Sequence, residues 1–82
     1  MSDDARMQAF LGQLVGALVE KPDEVAVSVV DGRRATRFEI RTRAEDRGQV
    51  IGKDGMTIRS IRTLAAIAAH KKRRRFEVEL PE

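Results

Sequence analysis

The sequence predicts an α+β fold in which a three-stranded mixed sheet has its helices packed on one face. Two patterns lead to this prediction: segments of alternating polarity, which are typical of strands, and apolar residues at three- and four-residue steps, which are typical of helices. They follow one another in the order α-β-β-α-α-β. The chain has 82 residues, a length that suits one domain with a small core. We therefore expect residues 1–82 to form a single domain.

The first predicted helix covers residues 4–20, because apolar side chains recur along one stripe of it. The stripe consists of Met7, Phe10, Leu11, Leu14 and Leu18. Ser2 or Asp3 can cap the first turn of this helix, and Pro22 should end it.

A β-hairpin is predicted next, with strands at residues 25–30 and 36–42. Asp31-Gly32 lies between them, and glycine accepts the positive φ that a tight turn requires. The second strand directs Phe38 and Ile40 to one side. Its other side has Arg37, Glu39 and Arg41, which we expect to pair across strands with Glu77 and Glu79.

The rest of the chain predicts helices at residues 44–51 and 56–70 and a strand at residues 76–80. The side of the longer helix that faces the core is expected to consist of Ile58, Ile61, Ala65 and Ala68. Because the two helices form a long connection, the second and third strands should be parallel, with a right-handed crossover.

Charge is unevenly distributed along the sequence. Sixteen Lys and Arg residues oppose thirteen Asp and Glu residues, for a net charge of +3. Acidic residues gather near both ends, and basic residues dominate from Arg33 to Arg75. This pattern suggests a polyanionic partner, although a solvated basic face would look the same.

Composition also excludes several classes of function. With no cysteine, the chain has no disulfide and no thiolate chemistry. The single histidine, His70, lies in a basic run, so neither a metal site nor a catalytic triad is expected. The acidic N-terminus does not resemble a secretory signal, and no apolar run reaches the roughly 20 residues of a membrane span. We expect a cytoplasmic, non-enzymatic protein without a cofactor, a membrane contact or a small-molecule substrate.

Two glycines, Gly52 and Gly55, enclose Lys53 and Asp54 between the two predicted helices. Glycine lets the chain reverse sharply and lets its backbone approach a ligand. The N-terminus of the following helix attracts phosphate, and Lys53 adds a mobile cation. Asp54 could cap that helix. A helix–helix turn that needs two glycines would show the same spacing.

Apolar residues flank this turn on both sides. Val50, Ile51 and Ile58 could form a wall on which bases rest while phosphates contact the turn. Together these features describe a site for a single-stranded nucleic acid.

The segment VIGKDGMTIRSI, residues 50–61, has the pattern V-I-G-x-x-G-x-x-I-x-x-I and resembles the GXXG region of KH domains. The predicted order of elements is similar to that of the type II KH fold, over essentially the whole chain. The chain therefore resembles the stand-alone KhpA family of RNA-binding proteins. This resemblance implies that the GXXG loop clamps about four nucleotides of single-stranded RNA.

By the same resemblance, a groove lies between the helix pair and residues 76–78, and a basic loop at residues 70–75 adds phosphate attraction. That loop could equally be a solvated turn after a helix end that favours cations. The implied RNA-binding residues are Val50, Ile51, Gly52, Lys53, Asp54, Gly55, Ile58, Arg59, Arg62, Lys71, Lys72, Arg73 and Arg74.

The resemblance further implies an RNA chaperone or post-transcriptional regulator that forms a homodimer or pairs with a Jag/KhpB-like protein. The alternative is an interaction module that acts mainly through such a partner, with RNA binding secondary. The sequence isolates no dimer face, because Val15, Val30 and Met56 could each belong to one or to the core. With no Trp or Tyr, base stacking should be weak and sequence preference loose.

Overall fold

The computed structural model of the protein describes residues 2–82 and confirms the predicted order of elements. Its helices are α1 (Asp3–Leu18), α2 (Arg47–Ile51) and α3 (Met56–Lys71), and its strands are β1 (Ala26–Asp31), β2 (Thr36–Arg41) and β3 (Phe76–Glu79). Short 3₁₀ turns occupy Pro22–Glu24, Ala44–Asp46 and Lys53–Gly55. The main departure from prediction is that residues 44–46 form such a turn rather than the start of α2.

The three strands form one mixed sheet in the order β1-β2-β3. β1 runs antiparallel to β2, and β2 runs parallel to β3, with Thr36 opposite Phe76. The predicted fold class is therefore confirmed. Because both β2 and β3 start at the same end of the sheet, α3 must return the chain to that end. The hairpin loop between β1 and β2 and the turn between α3 and β3 consequently lie side by side.

The core lies between the sheet and one side of each long helix. Phe38 of β2 and Phe76 of β3 meet edge to face at its centre, with ring centroids 5.1 Å apart. This geometry is worth about 1 kcal/mol beyond the apolar area it buries. Both helices leave their other side to solvent, and within residues 2–82 no helix is long and apolar enough to cross a bilayer.

The apolar stripe of α1 is narrower than predicted. Its buried residues are Met7, Leu11 and Val15. Phe10 and Leu18, which were expected in the stripe, are exposed. A Cβ atom at Gly12 would lie 3.9 Å from the Val27 side chain, so α1 packs closely on β1 along a single line of residues spaced four apart. Val15 thus belongs to the core.

Two contacts hold the first turn of α1 in place. Ser2 caps the helix as predicted, since its Oγ accepts a hydrogen bond from the Ala5 amide at 3.1 Å. Such a cap contributes about 1 kcal/mol. Asp4 forms an ion pair with Arg74, with a shortest N–O distance of 2.9 Å. The start of α1 is thereby joined to the turn before β3.

The predicted ion pairs between β2 and β3 do not form. Arg37 and Arg41 both pair with Glu39 on their own strand, at 3.2 and 3.4 Å. The parallel register places Glu39 opposite Glu79, so the two arginines of β2 flank a carboxylate that faces another one. On the solvent-exposed side of the sheet, Glu39 is therefore neutralised mainly by arginines of its own strand, β2.

A nearly fully buried carboxylate, Asp46, joins the loop after α1 to the turn that leads into α2. Its Oδ2 accepts hydrogen bonds from the Lys21 amide at 3.1 Å and from Arg43 Nε at 3.0 Å. Arg43 Nη2 also donates to Glu20 at 3.3 Å. Sequence reasoning did not single out Asp46, because an acid at that point looks like an ordinary helix-start residue.

The pKa of Asp46 reflects two opposing effects. Burial raises the pKa of this carboxyl, but hydrogen bonds from Arg43 and from the Lys21 and Glu20 amides lower it, and the net pKa lies below the ordinary 3.8. A group with a lower pKa in the folded state stabilises the fold above its unfolded pKa. That stabilisation is lost as the pH falls through the folded pKa.

We predict that Asp46→Asn lowers Tm by several degrees at about pH 7, and that the difference from the parent protein shrinks as the pH falls through the folded pKa of Asp46. Below that pKa the parent carboxyl is itself protonated, so both proteins lack the charge. Thermal unfolding followed by circular dichroism measures this, with the exposed Asp23→Asn as a control that should change Tm little. A Tm difference that persists at low pH would show that the charge is not the source of the stabilisation.

Candidate nucleic-acid interface

The GXXG loop, residues 52–55, reverses the chain between α2 and α3 within a single tight turn. The Gly52 amide donates to the Gly48 carbonyl at 2.9 Å and ends α2. The Gly55 amide then donates to the Gly52 carbonyl at 3.1 Å, and the Met56 amide donates to the Lys53 carbonyl. These bonds close the loop without any help from side chains.

The two glycines of the loop have different reasons to be glycine. Gly52 has φ 78° and ψ 171°, a conformation that is essentially restricted to glycine. A Cβ there would also lie 2.8 Å from the Thr57 backbone nitrogen and closer still to Thr57 Oγ1. Gly55 is left-handed at φ 73°, and a Cβ there would meet only Arg59 Nη1, at 3.7 Å. Gly52 is therefore required by space as well as by conformation.

The predicted cap from Asp54 does not form. Gly55 occupies the N-cap position of α3, and no side chain of residues 2–82 bonds to the first amides of this helix. Asp54 is instead left-handed at φ 56° and exposed, so the turn uses its backbone and not its carboxylate. The Met56 amide is used within the loop, so the open hydrogen-bond donors at this end of α3 are the amides that follow it.

The electrostatic potential at this end of α3 is positive. The helix dipole places partial positive charge at the open amides. Lys53 precedes them in the chain and Arg59 follows them, and both side chains are exposed. Neither has an ion-pair partner within residues 2–82. Asp54 offsets part of this charge. The arrangement is suited to bind an anionic group such as a phosphate.

The apolar residues of the predicted wall lie mostly below the surface. Val50 is fully buried and Ile58 is buried, whereas Ile51 is half-buried. Val50 and Ile58 thus support the loop from inside the core. Ile51 is the member of this group that reaches the surface beside the loop.

Two arginines connect the helix pair to the outer edge of β3. Arg62 Nε donates to the Val78 carbonyl at 3.0 Å, and Arg47 Nη2 donates to the Leu80 carbonyl at 2.6 Å. Arg62 remains exposed, so the other donors of its guanidinium group stay available to a ligand. Arg47 was not among the predicted site residues, since no sequence spacing reveals which helical arginine faces a strand edge.

The remaining predicted residues, Lys71, Lys72, Arg73 and Arg74, lie at the opposite end of α3. This helix has 16 residues and is therefore about 24 Å long. Arg74 pairs with Asp4, donates to Thr36 Oγ1 at 2.9 Å and lies over the Phe76 ring. The cations of the predicted site therefore lie mainly in two groups, one near each end of α3.

Comparison with known proteins identifies relatives along almost the whole chain. The family model described as "KhpA/KhpB, KH domain" matches residues 8–80. This range includes every strand, α2, α3 and the GXXG loop. No solved structure matches significantly.

Curated relatives named "RNA-binding protein KhpA" share 34–40% of aligned residues with this chain. The protein from Clostridium acetobutylicum is 40% identical over 74 residues, which cover 90% of this chain and 99% of the relative. That from Borreliella burgdorferi is 40% identical over 82% of both chains. The Chlamydia pneumoniae protein is 36% identical over 93% of this chain and 97% of its own.

We predict that Gly52→Ala lowers the free energy of unfolding by about 3 kcal/mol, because it adds a steric clash to a forbidden conformation. Gly55→Ala should cost only about 1 kcal/mol, since a left-handed alanine fits the available space. Urea unfolding followed by circular dichroism measures both values. Gly48→Ala is the matched control: a Cβ there meets nothing within 4 Å, so this variant should be neutral or slightly stabilised. Equal losses at Gly52 and Gly55 would contradict the assigned geometry.

Proposed function

The chain belongs to the KhpA/KhpB KH-domain family, and we propose that it binds single-stranded RNA with the GXXG loop against the phosphates. The observation that supports this most is the open N-terminus of α3 behind an exposed Lys53. Backbone amides and a mobile cation are close neighbours in the chain there, which is the chemistry that recognises a phosphate. Gly52 and Gly55 allow the RNA backbone to come close to the chain.

Next to this loop, we place the bases between the helix pair and the outer edge of β3. Ile51 offers an aliphatic contact, and Arg59 and Arg62 offer donors along α3. Val50 and Ile58 act from the core by holding the loop in shape. Because the groove has no Trp or Tyr, binding depends on phosphate and aliphatic contacts, and sequence preference is loose.

In the cell, this mode of binding suits an RNA chaperone or post-transcriptional regulator in the cytoplasm. Weak and loosely selective contacts allow one protein to bind many transcripts and to release them again. The role requires no cofactor and no catalytic step, in keeping with relatives that are named as RNA-binding proteins.

A second candidate function, association with another KH chain, is favoured by an apolar stripe on α3. Met56, Leu64 and Ile67 are 61%, 47% and 62% exposed, and their spacing places them along one side of the helix. We propose that this stripe binds a second copy of the chain or a KhpB-like protein. Joining two chains would bring two GXXG loops onto one RNA and raise its affinity through avidity.

We predict that Lys53→Asp abolishes binding of short single-stranded RNA without unfolding the domain. The change places two adjacent carboxylates in front of the α3 N-terminus, where they repel phosphate. Fluorescence anisotropy at low and physiological salt measures binding, and circular dichroism confirms folding.

The matched control for this experiment is Lys21→Asp, which makes the same charge change at an exposed lysine outside the GXXG loop. The control should keep most of the affinity. If Lys53→Asp and Lys21→Asp weaken binding equally, RNA responds to net charge alone and the GXXG loop is not the phosphate clamp.

We predict that Leu64→Glu shifts the protein from dimer to monomer, because a carboxylate in an apolar contact must lose its hydration. Sedimentation at rising protein concentration measures this, and co-elution tests a KhpB-like partner. Val30→Glu changes an exposed valine on β1 and should leave association intact. Association that survives Leu64→Glu with both partners would rule out this face.

A further inference from the structure

β1 is an edge strand of the sheet, because the strand order is β1-β2-β3 and no other strand within residues 2–82 pairs with its outer side. Its six residues, AVSVVD, contain no proline and no lysine, the residues that commonly protect an edge from pairing. Along the other edge, the carbonyls of Val78 and Leu80 accept hydrogen bonds from Arg62 and Arg47. β1 is therefore the less protected of the two edges.

The hydrogen-bond pattern of the hairpin determines which backbone groups of β1 point outward. Facing residues of an antiparallel pair alternate between bonded and non-bonded pairs. The Gly32 amide donates to the Ala35 carbonyl at 2.9 Å, so Gly32 belongs to a bonded pair, and so does every second residue before it in the register of β1 with β2. The amides and carbonyls of Val27, Val29 and Asp31 therefore point away from β2.

The space beside this edge is open. A groove of about 400 Å³ lies between α1 and the start of β1. The α1 residues that line it have small or flexible side chains: Gln8, Ala9, Gly12 and Gln13. Gln8 Nε2 donates to the Val27 carbonyl at 2.6 Å, which agrees with an outward-pointing carbonyl at Val27. The groove leaves room for the side chains of an additional strand.

The two ends of β1 carry opposite charges. Asp23 and Glu24 precede the strand, and Arg33 and Arg34 follow it in the hairpin loop. All four side chains are exposed, and none has an ion-pair partner within residues 2–82. A strand that pairs with β1 is therefore favoured if its own charges run in the opposite order along the edge.

We propose that β1 pairs antiparallel with β1 of a second copy of the chain, so that two sheets become one continuous sheet. A pair centred on Val29 brings the open groups of both Val29 residues together and sets Val27 of each copy against Asp31 of the other. The same alignment places Arg34 of each copy beside Glu24 of the other. A parallel pair would place like charges together. The edge is thus self-complementary in its hydrogen bonds and in its charge.

This contact shares no residue with the apolar stripe on α3, and chains that use both contacts form a row instead of a closed pair. The edge contact is the weaker one. We expect a dissociation constant of about 0.1–1 mM, because a hydrogen bond to another chain replaces a bond to water. Leu64→Glu therefore leaves monomers below this range, and within it the chains pair through β1.

An RNA that holds several copies supplies such concentrations locally. Edge pairing would then make neighbouring copies bind one RNA cooperatively. This consequence rests on the proposed function, whereas the pairing itself does not.

The test exchanges the charges at the two ends of β1 in a protein that also carries Leu64→Glu. Asp23→Lys/Glu24→Lys and Arg33→Glu/Arg34→Glu should each weaken self-association about tenfold, because each places like charges side by side. An equimolar mixture of the two variants should associate as tightly as the parent, since mixed pairs match opposite charges again. Sedimentation equilibrium at low salt measures association, and circular dichroism confirms folding.

The matched control is Lys71→Glu/Lys72→Glu, which makes the same change in net charge as Arg33→Glu/Arg34→Glu at exposed residues outside the edge. It should not associate with the Asp23→Lys/Glu24→Lys variant beyond the level of that variant alone. Equal association with the control would show that net charge, and not the edge, joins the chains. A mixture that fails to recover association would overturn the antiparallel pair.

Amide hydrogen exchange locates the contact within β1. As the protein concentration rises, the Val29 and Asp31 amides should exchange more slowly with solvent, because they become hydrogen-bonded to the second copy. The Ser28 and Val30 amides are bonded to β2 at every concentration and should not change. Exchange at Val29 and Asp31 that does not depend on concentration would rule out pairing through this edge.

RNA titrations separate this inference from the proposed function. An RNA of about 24 nucleotides holds several copies at about four nucleotides each. Binding to it should be cooperative for Leu64→Glu and non-cooperative once Asp23→Lys/Glu24→Lys is added, although the added cations should not weaken binding of an RNA of about four nucleotides. Non-cooperative binding by both proteins would remove the role of the edge on RNA. If neither protein binds RNA, the proposed function fails, and edge pairing is judged by sedimentation and exchange alone.

Discussion

The parallel pairing of β2 with β3 determines where the loops on either side of α3 lie. A parallel pair requires a connection that returns to the end of the sheet where it began. Here α2 and α3 form that connection, so the turn between them falls at one end of α3 and the turn into β3 at the other. The GXXG loop and the turn into β3 are separated by the length of α3 because this one pairing places them so.

The cations of the protein divide into two groups that a net charge of +3 does not reveal. Arg43 and Arg74 are bound to carboxylates and hold loops together. Lys53, Arg33 and Arg73 have no such partner within residues 2–82. Much of the unbalanced charge therefore lies at the two ends of α3, where loops expose it. Cations in the first group maintain the fold, and those in the second are free to meet an anion.

Local patterns predicted the fold well because each element obeys a rule that operates within a few residues. Alternation identified β2, and the spacing of Gly52 and Gly55 identified the turn before α3. Contacts between distant segments were not predictable in this way. The exposure of Phe10 depends on how closely α1 packs on β1, and the bond from Arg47 to Leu80 depends on where β3 ends. The burial of Asp46 likewise required two loops to meet.

The partner of β3 lies far away in the chain, since Thr36 pairs with Phe76. Closing so long a loop costs entropy that only the finished core offsets, whereas the β1–β2 hairpin and α3 form from neighbouring residues. We therefore expect β3 to join the sheet late in folding. During synthesis from the N-terminus, the sheet stays open until the segment after α3 has left the ribosome. The surface between α3 and β3 is thus completed only when β3 itself has been made.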